Sequence, residues 1–184
     1  MLKFIFFTFF LFATVNQSFA LDLSNHERDV LEGFFRVMIE KSEGGYVLFG
    51  RKPICIHGFH VEDYFIQENE RHLSNVYLRE GAYLWRKLNF NNKDENIIIH
   101  IYQRPDTLAK SYIHVLLINK ELCLNVIQKN LSLFQYVLGP NVTPSALLNK
   151  LIDPNESFHH VLREDKVLIG ILLGFGTQNS LNLS

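Results

Sequence analysis

An apolar run, Phe4–Val15, opens the chain behind a single charge at Lys3 and gives way to Asn16–Gln17–Ser18 and then Phe19–Ala20. The run is shorter than the roughly 20 residues that cross a bilayer. With small residues at Ser18 and Ala20, it matches a secretory signal peptide over residues 1–20, cut after Ala20. An uncleaved anchor is the alternative. Beyond it the hydrophobic period becomes helical. Ser24 and Glu27 stand at capping-box spacing, where hydroxyl and carboxylate satisfy backbone N–H groups at a helix start. Leu31, Phe34, Phe35 and Met38 then recur on one face. Gly44–Gly45 is expected to stop this helix and release Tyr46–Phe49 as a strand, paired with Ile54–Phe59 in a first hairpin.

Residues 60–73 are polar and aperiodic. Ser74 precedes a second helical pattern in which Tyr77, Gly81, Leu84, Trp85 and Leu88 share a face, with Gly81 either a weak spot or a point of close packing. Ile97–Gln103 and Tyr112–Asn119, rich in isoleucine, valine and tyrosine, flank Arg104-Pro105-Asp106 and should pair antiparallel. With the turn centred near Thr107, Ile97, Ile99 and Ile101 share a face with Ile113, Val115 and Leu117, which is expected to meet the core. The opposite face carries His100, Tyr102, Tyr112 and His114, expected to be partly solvated.

From Lys120 the period is helical again, with Cys123, Ile127, Leu131, Phe134 and Leu138 on one stripe that ends at Gly139–Pro140. Thr143–Pro144 restarts a short helix whose apolar side is Leu147, Leu148 and Leu151. A helical piece follows around Phe158–Leu162, and Val167–Phe175 is apolar on all sides, as in a helix central to a core. The expected fold class is α+β: an antiparallel sheet from two β-hairpins, covered on one face by helices near residues 24–43, 74–89 and 120–138, with a helical C-terminal segment. One domain is expected over residues 21–184.

Composition narrows the classes without choosing one. The 184 residues are 47 % hydrophobic and 20 % charged, with 18 basic against 19 acidic side chains and two cysteines. This excludes a disordered polar chain and a disulfide-stapled miniprotein, and the balanced charge gives no electrostatic reason to expect a nucleic-acid partner.

Candidate chemistry is sparse. Cys55, His57 and His60 lie within six residues, and a strand would turn Cys55 and His57 to one face. If Gly58 bent the chain, His60 would join them in a three-ligand patch for zinc, with Glu62 or Asp63 as base of a metal-dependent enzyme. The paired Cys-x-x-Cys or His-Glu-x-x-His spacing that marks a zinc site strongly is missing. Cys55 and Cys123 could form a disulfide, or both could be buried free thiols. His100 and His114 would oppose each other across the second hairpin as a pH-sensing or metal-bridged pair. His159 and His160 are expected to be a surface pair, since adjacent side chains on a helix diverge by about 100°. Gly170 and Gly174, four apart, suit close contact with a neighbouring helix.

The stretches Tyr46–Pro53, Leu116–Leu124, Leu133–Pro144 and above all Leu168–Ser180 together resemble an uncharacterised family of exported proteins of chlamydia-like intracellular bacteria. The resemblance covers most of the chain beyond the leader and implies a compartment, not an activity. Family members with this ending continue further, whereas this chain stops eight residues after Gly176. The apolar helix before it would then lack its packing partner and favour self-association or peripheral membrane adhesion. The leading expectation is an exported interaction or structural protein of the periplasm, cell envelope or host-facing space, with a protein partner. The alternatives are the zinc enzyme and a small-ligand or lipid carrier.

Overall fold

A computed structural model describes residues 23–60, 70–88, 95–103 and 112–182, with no side-chain placement at 60 or 70–75. The signal segment, Glu62, Asp63 and the Arg104–Thr107 turn lie outside the described residues.

The first helix, α1 (Asn25–Glu40), starts at the capping box: the Ser24 hydroxyl accepts from the Glu27 N–H, and the Glu27 carboxylate accepts from the Ser24 N–H. That backbone hydrogen bond, with the hydroxyl contact, holds the Glu27 carboxyl below its ordinary pKa. Val30, Leu31, Phe34, Phe35 and Met38 are buried along one side. The expected first hairpin does not form. Glu43 takes a left-handed conformation (φ 61°), and Gly44–Leu48 wind into a short helix, α2, instead of a strand. That turn buries Val47 completely while leaving Tyr46 and Phe49 on the surface.

The sheet has three strands, β1 (Ile54–His60), β2 (Ile97–Gln103) and β3 (Tyr112–Asn119), in the order β1-β3-β2 with both pairings antiparallel. Between β1 and β2 runs α3 (Glu70–Lys87). The β2–β3 register pairs Ile99 with Leu117 and Ile101 with Val115, so the aliphatic face predicted from the alternation is the observed one. Against this first face pack α1, α2 and α3. The helices meet glycine to ring: Tyr77 of α3 lies over Gly33, and Phe34 of α1 lies over Gly81, so a Cβ at either glycine would collide with an aromatic side chain. Close packing is the role of Gly81.

The second face is covered as well. Ile54, Ile98, Leu116 and Ile118 point into another core, formed with the C-terminal helices α4 (Lys120–Lys129), α5 (Leu131–Leu138), α6 (Pro144–Leu151), α7 (Phe158–Val161) and α8 (Lys166–Leu172). The helix expected over 120–138 is broken at Asn130, which leaves helical geometry (φ −113°, ψ 19°) and donates its side-chain amide to the Val126 carbonyl. The apolar α8 does not lack a partner: α9 (Thr177–Asn182) folds back on it, with Ser180 against Gly170. Gly174 falls after that helix in a left-handed turn (φ 84°), so the two glycines do not form one helical stripe. Leu168, Ile171 and Leu172 of α8 are buried. Among the described residues no helix is long and apolar enough to cross a membrane.

Strand β3 runs into α4 with no linker. Asn119 ends the strand and caps the helix, its side chain accepting from the Leu122 N–H and donating to the Val47 carbonyl. Asn96 grips the same junction, its carbonyl accepting from the Lys120 N–H and its side-chain oxygen from the Glu121 N–H. This amide node ties α2, β2, β3 and α4 together at one end of the sheet.

Candidate functional site

Near the other end, the second face changes material. Alternation turns His100 and Tyr102 of β2 and His114 of β3 to the same side, and the register sets Tyr102 directly opposite His114. His100 faces Leu116, so the two histidines expected to oppose each other are separated by Tyr102. The three rings stack: His100 to Tyr102 at 5.3 Å and 27°, Tyr102 to His114 at 5.1 Å and 18°. From the helical layer, His159 of α7 closes over them, 5.1 Å from the His114 ring, with its Nδ1 2.9 Å from the Tyr102 hydroxyl.

The expected solvation of this face is therefore reversed. His100 is 4 % exposed and His114 8 %, because the turn before α7 and α7 itself lie on them. His100 Nε2 is 3.0 Å from the Glu156 carbonyl, which can only accept, so the proton of the neutral ring sits on Nε2. Burial pushes the His100 pKa below its ordinary 6.5; the Glu156 hydrogen bond opposes this, Arg86 adds to it, and Asp153 opposes it. Nor are His159 and His160 a surface pair. His159 turns inward to Tyr102, while His160 stays exposed with its Nδ1 3.2 Å from Glu156 Oε2.

The other candidates lie apart. β1 keeps an unbroken register with β3 through Gly58, which is paired with His114, so the strand has no bulge to bring position 60 round. Cys55 and His57 share the first face, whereas position 60 has the parity of Ile54 and Ile56. The Tyr112 ring occupies the space beside Gly58. Cys55 is buried against Leu117, and burial pushes its thiol up to about 11. Among the described residues no group of three His, Cys, Asp or Glu side chains could hold a metal ion.

His57 has a partner that the sequence did not suggest. Ser42 Oγ lies 2.7 Å from its Nδ1 and 3.3 Å from the Val37 carbonyl, linking the end of α1 to the sheet. Desolvation lowers the His57 pKa. Nothing in the local sequence pairs residues 42 and 57, since Ser42 belongs to no motif. The Cys55–Cys123 disulfide is not formed. Both are free thiols in separate cores on opposite faces of the sheet, and burial pushes Cys123 up to about 12. Thiols so protonated are poor nucleophiles at neutral pH.

Two surface features complete the picture. Tyr46 and Phe49 on the α2 turn are 67 % and 69 % exposed, and Phe175 is 49 % exposed. Lys52 joins their segments: its N–H donates to the Tyr46 carbonyl, its side chain lies beside Gly174, and its ammonium stands 5.9 Å from the centre of the Phe175 ring while pairing with Glu43. Separately, α1 and α3 flank a cleft of about 520 Å³ whose lining includes Val30, Leu84, Ile101, Arg79 and Arg86. No known family model, curated protein or solved structure matches the chain.

Proposed function

We propose that this chain is an exported interaction protein that engages a protein partner through the aromatic surface of Tyr46, Phe49 and Phe175. The observation that carries this reading is the exposure of three large aromatic rings on two segments that meet at Lys52. Water-exposed aromatic surface is costly to maintain, and aromatic anchors supply much of the energy at protein interfaces. Lys52, tied to Glu43 and to the Phe175 ring, fixes the two segments together before any partner arrives. The compartment rests on the leader and the family resemblance described above.

Site-specific photocrosslinking in producing cells tests both parts. A photoreactive phenylalanine at position 49 or 175 is expected to give one discrete protein adduct in the fraction outside the cytoplasm, and the same probe at Tyr136, exposed on α5, is expected to give none. N-terminal sequencing of that fraction should begin at Leu21. Absence of an adduct at both aromatic positions defeats the interaction reading, and recovery only from the cytosol with Met1 retained defeats the export reading.

A small-ligand carrier is the second reading, favoured by the cleft between α1 and α3, whose lining combines Val30, Leu84 and Ile101 with Arg79, Arg86, Glu27 and Glu80. Native mass spectrometry of the purified chain should then show a retained amphipathic small molecule. A bare chain mass throughout would count against it.

A further inference from the structure

A groove of about 340 Å³ opens where the segment after α5 passes α6 and the end of α7. Leu138, Pro140, Val142, Leu147 and Val161 give it apolar walls, and the charged side chains in its lining are Lys150 and Arg163. Among the described residues no carboxylate lines it. The cleft between α1 and α3 differs in this respect, since Glu27 and Glu80 stand there among the arginines. In a chain with 18 basic against 19 acidic side chains, a groove of one sign is a local arrangement and does not follow from composition. We propose that this groove is a binding site for a small amphipathic anion, a carboxylate or phosphate head on a compact apolar group.

Arg163 is held in place at a cost in backbone strain. It follows the C-cap of α7 in a left-handed conformation (φ 52°), at the position where a helix end ordinarily has glycine, and Glu164 repeats that conformation (φ 58°). From there the guanidinium reaches the end of α5, donating to the Val137 carbonyl at 2.8 Å and to the Leu138 carbonyl at 3.1 Å. These bonds offset the negative end of the α5 dipole, hold the planar fork still, and leave its other N–H groups to a ligand. The loop that forms the facing wall is fixed too. Gln135 donates its side-chain amide to the Val142 carbonyl, the Val142 N–H donates to the Gly139 carbonyl, and Thr143 caps α6. A site already shaped before its ligand arrives loses little freedom on binding.

Lys150 supplies the second charge. It is exposed in the last turn of α6 and makes no hydrogen bond or ion pair with a described residue. The acidic side chains that follow Arg163 in sequence do not line the groove, and Asp165 is engaged as the cap of α8. Ala146 and Leu147, in the first half of α6, also form part of the wall, so the positive end of that helix dipole adds to the same sign. The volume lies at the low end of the roughly 300–1,000 Å³ usual for ligand pockets, which sets the ligand as small, and the apolar walls ask for more than a bare ion.

Amide NMR titration of the full chain with phenyl phosphate, at fixed ionic strength and about pH 7.5, where a phosphomonoester is mostly a dianion, tests the site. Saturable shifts are expected at Gly139, Asn141, Val142 and Arg163. Inorganic phosphate and benzyl alcohol, which carry the head and the apolar group separately, should each bind at least about tenfold more weakly. Lys150→Met should weaken phenyl phosphate by at least about tenfold, the factor expected for one lost charge-assisted contact, while the denaturation midpoint stays that of the unaltered chain. A lysine that only complements a helix end would not give that pair of results. Phenylacetate in place of phenyl phosphate shows which head the groove prefers. Failure of both to bind overturns the proposal, as do shifts confined to α1 and α3, equal binding of inorganic phosphate or benzyl alcohol, or a folded Lys150→Met variant that binds as before.

Discussion

The first face of the sheet packs hydrocarbon on hydrocarbon, whereas the second gives one corner to imidazole and phenol. On the first face the helices approach so closely that Gly33 and Gly81 each receive an aromatic ring, and the polar links between helix and strand include Ser42 to His57 and Arg86 to the Ile101 carbonyl. On the second face a core equally dry around Phe134, Ile127 and Leu168 passes into the stacked layer under α7. Hydrophobic burial is indifferent to pH, but the burial of His100 as a neutral imidazole favours the fold only where protons are scarce. The pKa of His100 is held below 6.5 in the fold, so the unfolded chain takes up that proton first. The contribution of His100 is therefore complete above 6.5 and is lost as acid carries the pH through and below that value.

The comparison can be broken hardest at its two apolar centres. Phe34→Ala on the first face and Phe134→Ala on the second should each cost about 3–5 kcal/mol in chemical denaturation, since both side chains are fully buried. If the two faces fold as one unit, both variants unfold in a single transition. Next comes Gly81→Ala, for which overpacking against Phe34 should cost about 1–3 kcal/mol even though alanine favours the helix, read as a lower denaturation midpoint at constant slope. Removing the α1 cap with Ser24→Ala should cost about 1 kcal/mol by the same measurement. Smallest in energy is the response to a thiol reagent. Neither Cys55 nor Cys123 should react in the folded chain at neutral pH, and both should react on denaturation, one from each face.

How far the sequence foretold this depends on whether the determining partner was local. The α1 cap needed only Ser24 and Glu27, three residues apart, and the faces of β2 and β3 followed from alternation, although the expected pairing of His100 with His114 lies two residues away from the observed pairing of His100 with Leu116. The strand expected at Tyr46–Phe49 is absent because the left-handed angle at Glu43, which no side-chain pattern announces, turns these β-prone residues into a helix. The histidine face was misjudged for a different reason. Polar residue types on alternate positions normally mark the solvent side, and the atoms that cover His100 and Tyr102 arrive 56 and 57 residues later, from Glu156 and His159. His159 and His160 looked alike in sequence, and only the placement of α7 separates the inward ring from the outward one.

The amide node at Asn96 and Asn119 gives the molecule a fixed end. With the strand passing directly into α4 and α2 bound to the same asparagine, the layers on both faces of the sheet share one anchor. The two layers are bound like pages at a common spine, along the edge where Asn96 and Asn119 meet.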